Sequence, residues 1–260
     1  MTTNRQFSLA LEALVELKAE VASPPHPQPM PAAPTLDRVL FEIGSLPREA
    51  LFLGVASDGL PVLLNLHDPI PGPVLVTGDP GAGKTAFLQM VARGIPQTHS
   101  VADVQYAVIT AHPEEWQDVP VTDHRVGIFS AHETGAQDIL LSLASWAHAN
   151  RSRQAVVLLV DDLEAIAKMD ADPLNNFRWL LLRGPSRRVW SLVTLNAERY
   201  GHALAWIPMF RTRVFGRIEK SQVAEAVGGD AASALDRLEK GIQFALRENG
   251  GWLRFWVPGV

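Results

Sequence analysis

The strongest constraint on the fold of this chain of 260 residues is a glycine-rich segment from Gly78 to Thr85. Its residues, GDPGAGKT, match the pattern G-x-x-x-x-G-K-[ST] at every fixed position. The segment follows the apolar run PVLVT and opens the helix-like stretch KTAFLQMVARG. In that placement the loop amides and the helix N-terminus converge on an anion. The sequence therefore predicts a strand, a phosphate-binding loop and a helix in succession.

The residue types in this loop predict a nucleotide triphosphate site. Gly81 and Gly83 allow the backbone to approach the phosphates closely, Lys84 neutralises the β and γ phosphates, and the Thr85 hydroxyl contacts Mg²⁺. Lys84 is for this reason also a predicted catalytic residue. The predicted nucleotide-binding residues are Gly78, Asp79, Pro80, Gly81, Ala82, Gly83, Lys84, Thr85 and Ala86.

A second acidic motif follows the apolar run Val156 to Val160. We expect Asp161, at the end of that run, to share the Mg²⁺ site with Thr85, because a phosphate loop needs a carboxylate on a neighbouring parallel strand. Asp162 is the candidate base that polarises the attacking water. Glu164 is an alternative base, or an acid that complements a helix dipole.

The next apolar run ends in two polar residues, Thr194 and Asn196. Either side chain is a candidate sensor of the γ-phosphate, and Asn196 is included among the predicted catalytic residues. The alternative for Asn196 is an ordinary helix N-cap, because Ala197-Glu198-Arg199 follows it.

Apolar runs alternate with helix candidates over most of the chain, and runs such as AVVLLV are apolar on both faces, as in covered parallel strands. We predict a three-layered α/β fold of the RecA-like P-loop type with a mainly parallel central sheet. Hairpins are predicted around Ser57-Asp58-Gly59 and Asn249-Gly250-Gly251. Other strands are predicted at Val74–Thr77, Val104–Thr110, Val126–Ser130, Ala155–Val160, Val189–Leu195 and Arg213–Ile218, and helices at Lys84–Arg93, Thr134–Asn150, Asp172–Arg183 and Ala197–Ala205.

The first 34 residues differ from the rest. Ser8 to Ser23 has the apolar spacing of one amphipathic helix, either packed on its own domain or docking another chain. The stretch from 24 to 34 contains six prolines in eleven residues, which favours an extended spacer. We therefore divide the chain into a helix within residues 1–23, a linker at 24–34 and an ATPase domain at 35–260.

Composition excludes several classes of protein. The chain lacks cysteine, so a disulfide scaffold and a thiolate metal site are excluded. No apolar run approaches the ~18 residues of a membrane span and no secretory signal is visible, so we expect a cytoplasmic protein without membrane insertion. The net charge of -5 argues against general electrostatic binding of nucleic acid.

Positive charge is concentrated between Leu174 and Ile218, which contains eight arginines and one acid, Glu198. Arginine suits bidentate contact with phosphate, including an arginine finger directed at a neighbour's nucleotide. Solvated helix faces and a local nucleic-acid track are the alternatives. The candidate fingers are Arg187, Arg188, Arg211 and Arg213.

From about Phe52 onward the chain resembles the FtsK/HerA family of ring-forming ATPases. The likeness rests on LGVASDGLPVLLNL, similar to the hairpin before the loop; GDPGAGKT, the Walker A motif; VVLLVDDLEAI, similar to Walker B; RGPSRRVWSLVTLN, similar to the arginine-bearing segment and sensor strand; and FRTRVFGRI, similar to the threonine-arginine strand. The resemblance implies a hexameric DNA-translocating motor that uses ATP and Mg²⁺. Against the family pattern we expect the motor domain alone, without a membrane anchor or a C-terminal DNA-reading domain.

Two positions depart from the family pattern. Asp162 stands where the family has a catalytic glutamate, and Asn196 where it has a sensor glutamine. These changes leave open a second interpretation, a weakly hydrolysing or inactive nucleotide-binding module that serves as an assembly or regulatory subunit and docks a partner through residues 8–23. A third is an AAA+ initiator or loader that binds DNA, because an Asp-Asp pair after an apolar strand also occurs in that group.

Overall fold

The computed structural model describes residues 34–231, 233–248 and 251–259. The predicted N-terminal helix and nearly all of the proline-rich linker lie outside these residues. From Thr35 onward the chain forms one compact unit.

Ten strands in the described residues form one mixed sheet. Their bounds are β1 Ala50–Ala56, β2 Pro61–Asn65, β3 Val74–Gly78, β4 Val104–Thr110, β5 Arg125–Ser130, β6 Ala155–Asp161, β7 Val189–Asn196, β8 Thr212–Phe215, β9 Gln243–Glu248 and β10 Gly251–Trp256. The strand order is β2-β1-β10-β9-β8-β3-β7-β6-β4-β5. The six strands from β8 to β5 are parallel, and the other four extend the sheet in antiparallel pairing.

The α-helices in the described residues are α1 Leu36–Ile43, α2 Lys84–Thr98, α3 Thr134–Ala149, α4 Leu163–Ala167, α5 Ala171–Arg183 and α6 Ser221–Ala226. Helices α1 and α2 pack on one face of the sheet, where Phe87 and Leu88 contact a core that includes Val76 and Val157. Helices α3, α4 and α5 cover the other face, which includes Leu75 and Leu158. Because neighbouring strand residues point to opposite faces, central strands covered on both sides are apolar throughout. The predicted three-layered α/β fold is confirmed.

The two predicted hairpins are confirmed, and the structure adds their position. Strands β9 and β10 pair between β8 and β1, so both hairpins continue the central sheet. Beyond β2, the carbonyl of Leu66 accepts hydrogen bonds from Trp190 Nε1 at 3.2 Å and Arg188 Nη1 at 3.1 Å. The outer hairpin therefore reaches back to the start of β7.

Several helix predictions require correction. We predict a helix over Ala197–Ala205, but the chain forms a 3₁₀ helix over Ala197–Ala203, with Asn196 as its N-cap. Strand β8 ends at Phe215 instead of Ile218, because the chain turns there across the phosphate loop. Helices α1, α4 and α6 were not predicted. Helices α4 and α6 have only five and six residues, too few to show a helical period, whereas α1 does carry apolar residues at helical spacing that the prediction did not use, at Leu36, Val39, Leu40 and Ile43.

Candidate nucleotide site

The phosphate loop joins β3 to α2 at the carboxyl edge of the parallel strands. Gly81 and Gly83 have φ angles of +74° and +88°, a region that side chains rarely adopt. A methyl group on Gly83 would lie 2.5 Å from the carbonyl oxygen of Gly241, so steric contact also requires glycine here. Helix α2 begins at Lys84 with no side-chain cap, which leaves its first amides free for an anion.

Lys84 folds back over the loop. Its Nζ donates to the carbonyl oxygens of Gly78 at 3.0 Å and Asp79 at 2.8 Å. Burial lowers the pKa of Lys84, and the charges of Asp161, Asp79 and Asp162 oppose that shift. The ammonium group is thus held at the loop by neutral carbonyls, which a phosphate oxygen can replace as a stronger partner.

Three hydroxyl and carboxyl groups meet at the end of β6. Asp161 Oδ1 accepts hydrogen bonds from Thr85 Oγ1 at 3.2 Å and Thr194 Oγ1 at 2.9 Å. The side chain is buried, and burial raises the pKa of its carboxyl while the two hydroxyl donors lower it in part.

Asp162 has an unusual backbone, with φ +87° and ψ 101°. This conformation directs its amide N–H to Thr194 Oγ1 at 2.7 Å, and its carboxylate caps α4 by accepting the amide N–H of Glu164 at 2.9 Å. A non-glycine residue at positive φ carries backbone strain, and such strain is concentrated at functional sites. The second carboxylate oxygen has no partner among the described residues.

The other two candidates next to this cluster have local partners. Asn196 ends β7 opposite Gly78, and its side chain accepts the amide N–H of Glu198 at 3.3 Å, which makes it an N-cap. Glu164 lies 3.3 Å from His202 Nδ1 and 4.0 Å from Arg199 Nε. From the sequence, Thr194 was considered only as a sensor of the γ-phosphate. In the structure Thr194 is buried and connects Asp161 to the backbone of Asp162.

The C-terminal third of the chain closes the other side of the loop. The Asp79 amide donates to the carbonyl of Arg217 at 2.9 Å, and Asp79 Oδ2 accepts the amide N–H of Glu219 at 2.8 Å. Gly241 touches Gly83, as described above. No sequence motif marked these contacts, because they join segments more than a hundred residues apart in the chain.

The arginine candidates lie away from the loop of their own chain. Arg187 and Arg188 precede β7 and Arg211 precedes β8, so all three lie at the amino edge of strands whose carboxyl edge bears the loop. Arg188 is tied to Leu66, and Arg213, within β8, donates to the carbonyl of Val227 at 3.5 Å. Arg187 and Arg211 are exposed.

Comparison with solved structures identifies the fold. The cytoplasmic domain of EccC, a type VII secretion ATPase from Thermomonospora curvata, aligns with a TM-score of 0.66 and 17% identity over 88% of this chain and 28% of that one. The pCW3 conjugation coupling protein TcpA aligns with a TM-score of 0.63 and 13% identity over 86% of this chain and 68% of that one. The chain has the FtsK/HerA-type ATPase fold.

A viral protein with this ATPase fold also matches. It is the genome packaging NTPase B204 of Sulfolobus turreted icosahedral virus 2, bound to AMPPCP, with a TM-score of 0.52 and 10% identity over 74% of this chain and 100% of that one. These similarities confirm the fold that the sequence resemblance implied. The chain spans 28% of the EccC cytoplasmic domain and 43% of its fragment with ATPases 2 and 3.

Neither a family model nor a curated protein sequence matches the chain. Within the part of the chain that the structure describes, no helix has the length and apolar character needed to cross a membrane.

Proposed function

We propose that this chain binds ATP with Mg²⁺ and hydrolyses it as a subunit of a ring that acts on a polymer. The observation that carries the proposal is the hydrogen-bonded cluster of Thr85, Asp161 and Thr194 beside the phosphate loop. This arrangement joins the loop helix to the ends of two parallel strands, where ligands of open α/β sheets bind.

The donor set fits Mg²⁺. Magnesium binds oxygen ligands, and sites that also hold nucleotide phosphates use one or two protein carboxylates. Asp161 offers a buried carboxylate whose pKa is raised by burial, so a cation relieves an unfavourable charge, and the Thr85 hydroxyl lies 3.2 Å from it. When bound, Mg²⁺ neutralises charge on the phosphates.

The chain's own residues then perform the remaining steps. The loop amides and Lys84 bind the phosphates and stabilise charge that develops on the γ-phosphoryl group. Asp162 keeps one carboxylate oxygen on the amide of Glu164 and uses the other to accept a hydrogen bond from the attacking water. Thr194 fixes the backbone at Asp162, so the base is positioned from the neighbouring strand.

A ring explains the position of the exposed arginines. Arg187 precedes β7 and Arg211 precedes β8, so both lie at the edge of the sheet opposite to the phosphate loop of their own chain. A neighbouring subunit that presents this edge to the loop would bring one of them to the γ-phosphate, where an arginine stabilises transition-state charge.

A polymer is the proposed target, and the structural relatives offer two kinds. TcpA is described as a conjugation coupling protein and B204 as a genome packaging NTPase, while EccC has been solved with a signal sequence peptide. We take DNA as the first candidate, with the arginine-rich segment as its local basic surface.

Turnover measurements test this function. Steady-state ATP hydrolysis is measured at several protein concentrations, with and without duplex DNA. We expect the rate per subunit to rise with protein concentration, as required for shared active sites, and to rise again with DNA. A rate per subunit that is independent of both would contradict a ring motor.

The second candidate function is a nucleotide-binding regulatory subunit with little turnover. It is favoured by Asp162, whose side chain is one methylene shorter than that of glutamate and whose carboxylate already caps α4. Under this alternative the partner binds residues 8–23, which lie outside the described residues. Deleting residues 1–34 is then expected to leave ATP binding intact and to abolish co-purification of the partner; an insoluble product would assign that segment to the core.

A further inference from the structure

Lys240 lies over the middle of the phosphate loop. A methyl group placed on Gly81 would be 3.1 Å from Lys240 Cε and 3.5 Å from its Nζ. The ammonium group therefore reaches the same loop as Lys84, but from the C-terminal segment. Nothing in the loop motif predicts a second lysine there, because Lys240 follows Gly81 by 159 positions.

The backbone fixes this placement of Lys240. The neighbouring Gly241 lies close to Gly83: a methyl group on Gly83 would be 2.5 Å from the carbonyl oxygen of Gly241. The turn is closed by the amide of Gln243, which donates to the carbonyl of Glu239 at 3.0 Å, and by Gln243 Oε1, which accepts the amide N–H of Glu239 at 2.9 Å. Strand β9 begins at Gln243 and continues into the sheet.

The charge on Lys240 is available for a ligand. Its side chain is exposed, and it forms no ion pair in the part of the chain covered by the structure. The nearest acid of the loop, Asp79, already accepts the amide of Glu219 through Oδ2. By contrast, Lys220 is paired with Glu198 at 2.7 Å.

We infer that Lys240 is a second phosphate-binding lysine, which contacts the nucleotide of its own subunit from the C-terminal segment. Lys84 holds the phosphates at the start of α2, and Lys240 contacts them across Gly81. An ammonium and a phosphate oxygen form a charge-assisted hydrogen bond, stronger than one between neutral groups. Because AMP lacks the β and γ phosphates, Lys240 favours ATP and ADP over AMP.

This inference rests on the proposed nucleotide site and is tested by equilibrium titration with ATP, ADP and AMP. The variants are Lys240→Met, which keeps the length of the side chain without its charge, and Lys240→Arg, which keeps the charge. Lys220→Met is the matched control, since it removes a surface lysine that is already paired. Thermal unfolding without nucleotide monitors the fold.

We expect Lys240→Met to weaken ATP and ADP binding by about tenfold or more, the size of a charged hydrogen bond. The AMP affinity and the unfolding temperature of Lys240→Met stay close to those of the unaltered protein. Lys220→Met binds ATP and ADP as the unaltered protein does, and Lys240→Arg recovers most of the affinity for ATP and ADP. The inference is overturned if Lys240→Met binds ATP normally, or if the Met and Arg variants lose affinity equally. An unaltered protein that binds no ATP would overturn the proposed function itself.

Discussion

Thr194 Oγ1 lies 2.9 Å from Asp161 Oδ1, and this hydrogen bond joins the ends of two adjacent parallel strands at the proposed metal site. The same hydroxyl accepts the amide N–H of Asp162 at 2.7 Å. One buried side chain thus orients both acidic residues that the sequence selected.

Replacing Thr194 by valine tests this connection. The shape of the side chain is kept, but Asp161 loses a donor and the Asp162 amide loses its acceptor. We expect Thr194→Val to lose about 1–3 kcal/mol of unfolding free energy, the usual cost of buried polar groups without partners. Urea unfolding measures this loss, and Thr194→Ser, which keeps the hydroxyl, is the control. Equal stability of the valine and serine variants would show that the bond is unimportant.

Asp161 carries a pH dependence whose sign follows from its burial. The folded-state pKa is raised above the ordinary value of 3.8, so between the two pKa values the folded chain holds a proton that the unfolded chain has lost. Stability contributed by this carboxyl therefore falls as pH rises through that window. We expect Asp161→Asn to gain stability relative to the unaltered protein as pH rises from about 4, with a constant difference above the folded-state pKa.

Metal binding is expected to reverse the relative stability of the unaltered protein and Asp161→Asn. At neutral pH, Mg²⁺ with nucleotide is expected to stabilise the unaltered protein more than Asp161→Asn, because a ligand stabilises only the folded state that binds it. Chelation of Mg²⁺ with EDTA removes the difference. Equal stabilisation of both proteins by Mg²⁺ and nucleotide would exclude Asp161 from the metal site.

Asp162 is tested by a pair of substitutions. Asp162→Asn keeps an oxygen to cap α4 but removes the charge needed to activate water, so we expect ATP turnover to fall by about 100-fold or more with little loss of stability. Asp162→Glu extends the carboxylate and is expected to raise turnover, while the weaker cap costs about 1 kcal/mol. Single-turnover hydrolysis and urea unfolding give the two quantities. Unchanged hydrolysis by Asp162→Asn would mean that another group is the base.

We expect alanine substitutions at a glycine of the phosphate loop and at a glycine of α2 to have opposite effects on stability. Alanine at Gly83 combines a φ of +88° with a 2.5 Å contact to the Gly241 oxygen, and we expect lower stability and no ATP binding. Alanine at Gly94, within α2, meets no atom within 4 Å and is expected to raise the unfolding free energy by about 0.5–1 kcal/mol. Thermal unfolding compares them. A Gly83→Ala variant as stable as Gly94→Ala would contradict the described loop geometry.

Local pattern was sufficient to predict most of the fold. The loop motif predicted β3 and α2, and the fully apolar run before Asp161 predicted a central strand, because burial on both faces leaves a direct mark on sequence. The hairpins were predicted for the same kind of reason, as turn residues separate two apolar runs. The position of the β9–β10 hairpin between β8 and β1 was not predicted, because pairing between distant strands is set by packing of the whole sheet.

The sequence predicted the motif residues of the candidate site but not the residues that hold them in position. Lys84, Thr85 and Asp161 belong to patterns whose spacing reflects their chemistry, and the structure brings all three together. Thr194 was considered only as a sensor, since a strand-end threonine has no pattern that distinguishes support from sensing. The contact of Gly241 with Gly83 joins remote segments, so only the folded chain reveals it.

Equilibrium binding of Mg²⁺ and ATP to the unaltered protein and to Lys84→Ala tests the central claim most directly. Lys84 makes no ion pair in the described residues and donates to two carbonyls of the loop, so the variant is expected to fold. The account predicts saturable binding by the unaltered protein and at least about 100-fold weaker binding by Lys84→Ala, from the loss of charged hydrogen bonds to phosphate. Equal ATP affinity of the two proteins would contradict it.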